Sequence, residues 1–225
     1  MNHNSKVSFL AILMCLCLLA VPCFSQVDDQ EKNIDEKVEK FLATYRWRDM
    51  NVPQVDGRAL YDIIIKNNYT KALEIGTSTG HSGIWTAWAL SKTGGKLITI
   101  EIDRGRHNTA VENFKAVGLS EFIDARLADA HKLVPELEGP FDFVFIDADK
   151  DWYTNYAKSV APILEIGGCI TAHNVSDFSS RSGRRGRGGG GMTGGFLEFM
   201  RSLPNFETSF VTSRGSGLTA SYKIE

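Results

Sequence analysis

Cysteine is scarce where it would matter. Of the four in the chain, Cys15, Cys17 and Cys23 crowd an N-terminal apolar segment and only Cys169 lies in the body. That excludes a disulfide-stapled fold, and a lone cysteine in an apolar stretch reads as a small core residue. An excess of one charge is missing too. Twenty-five Lys and Arg stand against twenty-seven Asp and Glu, a formal net charge of -2, so nothing general draws the chain to nucleic acid or to an anionic membrane surface. The apolar run Val7 to Val21 is too short for a comfortable membrane span. No internal repeat is visible. The Gly-rich turn after the first strand lacks the second Gly of G-x-G-x-x-G, which argues against a nicotinamide oxidoreductase.

What is present begins with an export signal. Lys6 precedes Val7 to Val21, and Pro22-Cys23-Phe24-Ser25 follows. This reads as an n-region, an h-region and a small residue at a cleavage point after Ser25. Asp28, Asp29 and Glu31 follow the run, so even an uncleaved anchor would leave the domain outside the cytoplasm, periplasmic or secreted. The remaining chain, at 43% hydrophobic and 23% charged over the whole sequence, can bury a full globular core. Residues 26–70 read as a helical cap, with helices expected over Asp29 to Met50 and Arg58 to Asn67, and 71–225 as the main domain.

Along that domain strands and helices alternate. Strands are expected at Ala72 to Ile75, Lys96 to Glu101, Phe122 to Leu127, Phe141 to Ile146 and Cys169 to Ala172. The intervening helices include one capped by Asp103 and stopped by Gly118, a short one from Ala130 to Leu137, and Trp152 to Leu164. A last helix covers Phe196 to Leu203, and Phe206 to Val211 with Leu218 to Ile224 form a closing hairpin. The pattern predicts an α/β fold, a Rossmann-like doubly wound sheet of seven strands, mostly parallel with one late antiparallel strand.

Ligands in such sheets bind beyond the carboxyl ends of the strands. Gly76, Glu101, Asp129, Asp147 and the His173-Asn174 pair all fall there. The first strand runs into a turn of the form acidic-x-G-x-x-x-G, with Glu74, Gly76 and Gly80. An acidic residue at that point suits an amine or sulfonium better than a pyrophosphate, which it would repel. Glu101 lies about twenty residues after the turn, where a carboxylate takes ribose hydroxyls in folds of this kind.

Three stretches carry a family resemblance: Ala72 to Trp85, Leu97 to Asp103, and above all Phe141-Asp-Phe-Val-Phe-Ile-Asp-Ala-Asp-Lys-Asp-Trp-Tyr153. Together, over roughly Arg58 to Asn174, they resemble the cation-dependent O-methyltransferases of the catechol and caffeoyl-coenzyme-A type, which use S-adenosylmethionine. The resemblance implies that Glu74, Gly76, Thr77, Gly80 and Ser82 hold the methionine moiety. It implies that Glu101 takes the ribose and that Asp129 and Ala130 edge the adenine. Asp147 would border the cofactor and bind a divalent metal, with His173 and Asn174 as the remaining metal pair and Lys150 as general base. The acceptor would be a small hydroxylated molecule, and a homodimer the expected assembly.

One position departs from that pattern. The family has Asp in an Asp-Asn pair, and this chain has His173-Asn174. Losing a hard anionic ligand weakens a magnesium or calcium site, and an imidazole suits Mn, Fe or Zn better. Three readings stay open: a changed metal, a metal-free site with His173 as base, or a degraded site. Two other classes also remain: a non-catalytic binder of an adenosine-type ligand, and an anionic-polymer binder working through the Arg/Gly-rich loop at 181–195. An exported enzyme would also need a donor supply outside the cytoplasm. His81, Trp85 and Trp88 read as packing residues, His107 and His131 as surface ones, and Trp152 as a candidate pocket residue.

Overall fold

The computed structural model describes residues 21–175, 193–212 and 217–225. The chain divides into two units, Met1–Thr44 and Tyr45–Glu225. The first contributes helix α1, Val21–Thr44, with Ile34, Val38 and Leu42 at helical spacing. The helix stops short of the expected Met50. In its last turn the Thr44 hydroxyl donates to the Lys40 carbonyl (2.7 Å), a local bond that competes with helix continuation. No helix among the described residues is long and apolar enough to cross a membrane.

In the second unit an irregular stretch leads to Pro53, which stands at the N-cap of α2, Gln54–Asn67. A residue without an N–H is tolerated at a helix start, so α2 begins ahead of the expected Arg58. Then follow β1 (Lys71–Ile75), α3 (His81–Thr93), β2 (Lys96–Glu101), α4 (Arg104–Ala116), β3 (Ile123–Leu127), α5 (Ala130–Leu133) and β4 (Phe141–Ile146). The chain closes with α6 (Tyr153–Val160), β5 (Leu164–His173), α7 (Gly194–Ser202), β6 (Phe206–Thr212) and β7 (Leu218–Lys223). Asp103 caps α4 as expected, its carboxylate accepting from Arg106 N (2.8 Å).

The strands form one seven-stranded sheet in the order β3-β2-β1-β4-β5-β7-β6. Pairings from β3 through β5 are parallel, and β7 runs antiparallel to both neighbours. This is the predicted Rossmann-like doubly wound sheet. The chain winds outward from β1 to β3, then crosses back to β4 on the other side of β1. The strand order therefore reverses between β1 and β4, where such sheets open a ligand crevice. Parallel strands covered on both faces read as continuous apolar runs, and every residue of β4 is buried.

Boundaries also differ from expectation later in the chain. The helix predicted from Trp152 to Leu164 is a 3-10 turn, Lys150–Trp152, followed by α6, which ends at Val160. Pro162 lies just beyond, and it has no N–H with which to carry the helical ladder further. β5 then begins at Leu164, ahead of the predicted Cys169. It carries Gly167-Gly168 inside the strand across a register shift against β4, with Gly167 at φ 82. Trp85 and Trp88 are core, packed on Tyr61 with ring centroids 6.4 and 4.8 Å away.

The start of β1 is fixed by a side chain of β4. Asp142 is buried, and its carboxylate accepts from Thr70 N (2.6 Å), Thr70 Oγ1 (3.2 Å) and Lys71 N (2.9 Å). Asp142→Ala leaves two backbone donors without that partner. An unfolding free energy lower by about 2 kcal/mol is expected in urea titrations, the scale of lost hydrogen bonds to a charged acceptor.

Candidate active site

A cavity of about 840 Å³ opens at the crevice between β1 and β4. Its walls include Gly76, Ser78, Glu101, Asp129, Ala130, Asp147, Lys150, His173 and Asn174, with Met50, Asn51 and His131. Most of the residues predicted from strand ends thus meet in one place. Glu74, Thr77, Gly80 and Ser82 do not line it. They are buried one layer behind the turn.

That turn is built on close backbone approach. Gly76 has φ 100, and a Cβ there would sit 2.5 Å from the Asp147 carbonyl oxygen. Gly76 N and Thr77 N both donate to Ile100 O (3.0 and 3.2 Å), tying the turn to β2. Ser78 takes a left-handed conformation, φ 50, which a non-glycine residue adopts only when its surroundings enforce it. Its N–H donates to Glu101 Oε2 (2.8 Å), and Asp103 N donates to Oε1 (2.9 Å). Glu101 is therefore aimed by two backbone groups and keeps further lone pairs for a ligand.

Beneath the turn, Glu74 is fully buried and accepts from Thr99 Oγ1 (2.5 Å). Thr99 Oγ1 is in turn 2.5 Å from Thr77 Oγ1. Burial pushes the Glu74 carboxyl up to about 7, against hydrogen bonds from Ser82 and Thr99 that favour its charged form. A carboxyl raised from the usual 4.5 stabilises the fold most below that value. It loses the contribution as pH rises through about 7. Wild-type stability should fall between about pH 5 and about pH 8, and Glu74→Gln should flatten the fall, read from urea midpoints at each pH.

The other side of the cavity is a buried ionic cluster. Asp147 Oδ1 accepts from Lys150 Nζ (2.5 Å) and Tyr153 OH (3.2 Å). Its Oδ2 faces His173 Nδ1 at 3.2 Å, an ion-pair contact whose angle departs from a straight hydrogen bond. His173 Nε2 lies 3.0 Å from Asp56 Oδ2, and Asp56 has no exposed surface. Burial alone would raise the Asp147 carboxyl, but His173 and Lys150 together hold it below the usual carboxylate range. Burial likewise would lower the His173 ring, and Asp147 and Asp56 override it and raise the ring above its usual value. Tyr153 completes the cluster. It takes Lys150 Nζ at 2.6 Å and donates to His173 O (3.1 Å), while burial and Asp147 hold its phenol well above the ordinary range.

Asp56 and Tyr153 are the members of this cluster that sequence reasoning did not single out. Asp56 reads as an ordinary acidic residue in the first turn of a helix, and only the fold brings it to His173. Other residues fall as predicted or beside it. His81 is a packing residue, edge-on to Trp47 at 4.6 Å, and burial lowers its ring to about 4. His131 is exposed, as expected, and also borders the cavity, stacked on Trp152 with ring centroids 4.2 Å apart. Of the predicted Arg/Gly-rich loop, 181–192 lie outside the described residues.

The donors here do not fit a divalent cation. One Asp147 oxygen is occupied by Lys150 and Tyr153 and the other by His173, while both nitrogens of His173 face carboxylates. Asn174 holds a left-handed backbone, φ 57, and its main-chain carbonyl accepts from Thr193 Oγ1 (3.1 Å), a bond that does not involve its side-chain amide. Among the described residues no group of three His, Cys, Asp or Glu side chains is placed to hold a metal.

With this geometry in hand, comparison with known proteins gives a consistent answer. A family model described as "O-methyltransferase" matches residues 25–180. The flavonoid 3',5'-methyltransferase of Vitis vinifera is 32% identical over 72% of this chain and 71% of its own length. The caffeoyl-CoA O-methyltransferase of Eucalyptus gunnii is 31% identical over 77% of this chain and 72% of its own. The O-methyltransferase of Bacillus cereus in complex with SAH superimposes with a TM-score of 0.68 at 24% identity, covering 85% of this chain and 90% of that one. One from Streptomyces achromogenes in complex with SAM gives a TM-score of 0.71 at 22% identity, covering 86% and 90%. The fold and site thus define a methyltransferase-type α/β domain. The chain belongs to the O-methyltransferase family.

Breaking the buried pair from its hidden side should be costly. Asp56→Ala strands the His173 ring beside a single carboxylate and is expected to lower the unfolding free energy by about 3 kcal/mol, read by urea titration near pH 7.

Proposed function

We propose that this protein transfers the methyl group of S-adenosylmethionine to a hydroxyl oxygen of a small acceptor of the catechol kind. The observation that carries the reading is the convergence of Glu101, Asp129 and Ala130 with Asp147 and Lys150 on one cavity. The SAM and SAH of the structural neighbours, and the caffeoyl-CoA and flavonoid in the relatives' names, support it.

The residues present suit that cofactor. Glu101, held by Ser78 N and Asp103 N, has lone pairs left for ribose hydroxyls. Gly76 gives the ligand bare backbone where a side chain would intrude. Asp129 caps α5 by accepting from His131 N (3.0 Å), and with Ala130 it would edge the adenine. Glu74, Thr77, Gly80 and Ser82 serve this ligand from behind, by fixing the turn.

When bound, S-adenosylmethionine supplies an electrophilic methyl on a sulfonium. An alcohol or phenol is a poor nucleophile while protonated, so the chain's task is to orient the oxygen and remove its proton. Lys150 lines the cavity and is held by Asp147 and Tyr153. Its Nζ is the atom this reading assigns to take the hydroxyl proton. The export signal at Lys6 to Ser25 places this activity outside the cytoplasm in our reading, which N-terminal sequencing of the mature protein would test.

Calorimetric titration should give an S-adenosylmethionine Kd on the order of micromolar, weakened about tenfold or more by Glu101→Ala. Lys150→Ala should leave that Kd in place and lower kcat with catechol by about 100-fold, the scale of one general base. Absence of any cofactor binding would overturn the assignment.

A further inference from the structure

Two carboxylates converge in the protein interior with one imidazole between them. Asp56 comes from the first turn of α2, Asp147 follows β4, and His173 ends β5. Asp56 is fully buried, and its Oδ1 makes no hydrogen bond among the described residues. Its other oxygen, Oδ2, meets His173 Nε2. We propose that the His173 ring occupies the place of a divalent cation in this site, so that this O-methyltransferase works without a metal. The activity half of this inference rests on the function proposed above. The metal-binding half does not.

Three features of the geometry support it. First, the two ring nitrogens stand 3.0 and 3.2 Å from carboxylate oxygens of opposite partners. A ring carrying a proton on each nitrogen meets Asp56 with a hydrogen bond and Asp147 with a charge contact, and a neutral ring leaves a lone pair against an oxygen. Second, an ion binding Asp147 would have to displace Lys150 and Tyr153 from one oxygen or His173 from the other. An ion that took the ring nitrogen would also have to strip its proton, while Asp56 holds the ring from behind. Third, an aspartate at 173 would gather three carboxylates here, and like charges at such range cannot all ionise without a cation. Imidazole at this one position removes a negative charge and sets a ring nitrogen against each of the two carboxylates that remain. His173 also lines the cavity.

The test is Mn²⁺ titration of the full chain, by calorimetry and by electron paramagnetic resonance, with S-adenosylmethionine present. Wild type is compared with His173→Asp, and turnover of catechol is followed in chelator and in added Mn²⁺. Wild type should bind no Mn²⁺ up to about millimolar concentration, and its turnover should change less than about twofold on chelation. His173→Asp should bind Mn²⁺ with a Kd of about 10–100 µM and need the ion for turnover, losing about 100-fold in chelator. Stoichiometric Mn²⁺ binding by wild type at micromolar Kd, or loss of its turnover in chelator, would overturn the proposal. If no acceptor is methylated under any condition, the transferase reading fails, while Mn²⁺ binding to wild type still decides this one. Should His173→Asp fail to fold, the wild-type titration alone decides between a metal-free and a metal-binding site.

Discussion

The close approach of the first turn to the end of β4 is the constraint on which the site depends. Gly76 passes so near the Asp147 carbonyl that a methyl group would collide with it. Two strand ends that merely neighbour each other in the sheet are thereby drawn into one wall. The turn is held from the other side by β2, through the two N–H groups on Ile100 O, and from below by Glu74. Ser78 holds its place at a cost in backbone strain, and its N–H is what orients Glu101. The cofactor-side residues are thus positioned by main chain first and by side chains second. That order explains why the turn's most conspicuous acidic residue, Glu74, supports the wall without being part of it.

The reactive side is organised by charge in a dry place. Asp147, Lys150, His173 and Tyr153 are all partly or wholly buried, and each contacts at least one of the others. Burial penalises every charge among them, so none is stable alone. The directions of the shifts agree. The Asp147 carboxyl moves down and the His173 ring moves up, each against burial, because each has the other. Asp56 extends the cluster into the core, where no solvent can take over its role.

Much of this was legible in the sequence. The run Phe141 to Ile146, apolar at all but Asp142, could only be a strand buried on both faces, and strand ends named most of the cavity wall. Element boundaries were less legible where one residue overrides a pattern: Pro162 cuts a helix short, Pro53 starts one early, and Gly167-Gly168 sit inside a strand they were expected to precede. The periodicity of neighbouring residues carries no information about such points. Asp56 was invisible for a different reason. Its significance lies wholly in a contact with His173 across the fold, and an acidic residue in the first turn of a helix has an ordinary local explanation. Asp142 was hidden likewise, since a strand-interior aspartate signals nothing until the Thr70 and Lys71 amides arrive beside it.

His173 and Asp56 also explain each other. Taken alone, a histidine at the position where the family has aspartate looks like a lost ligand, and the site like a weakened one. Taken alone, a fully buried aspartate with one unbonded oxygen looks like a defect in α2. Together they form an ion pair that also holds Asp147, and neither could stay charged in that interior without the other. A change at 173 is therefore not a local edit to a metal site. It commits the start of α2 and the carboxyl ends of β4 and β5 to a single electrostatic unit. Within that unit an imidazole stands between two carboxylates, and both of its contacts are made by the chain itself.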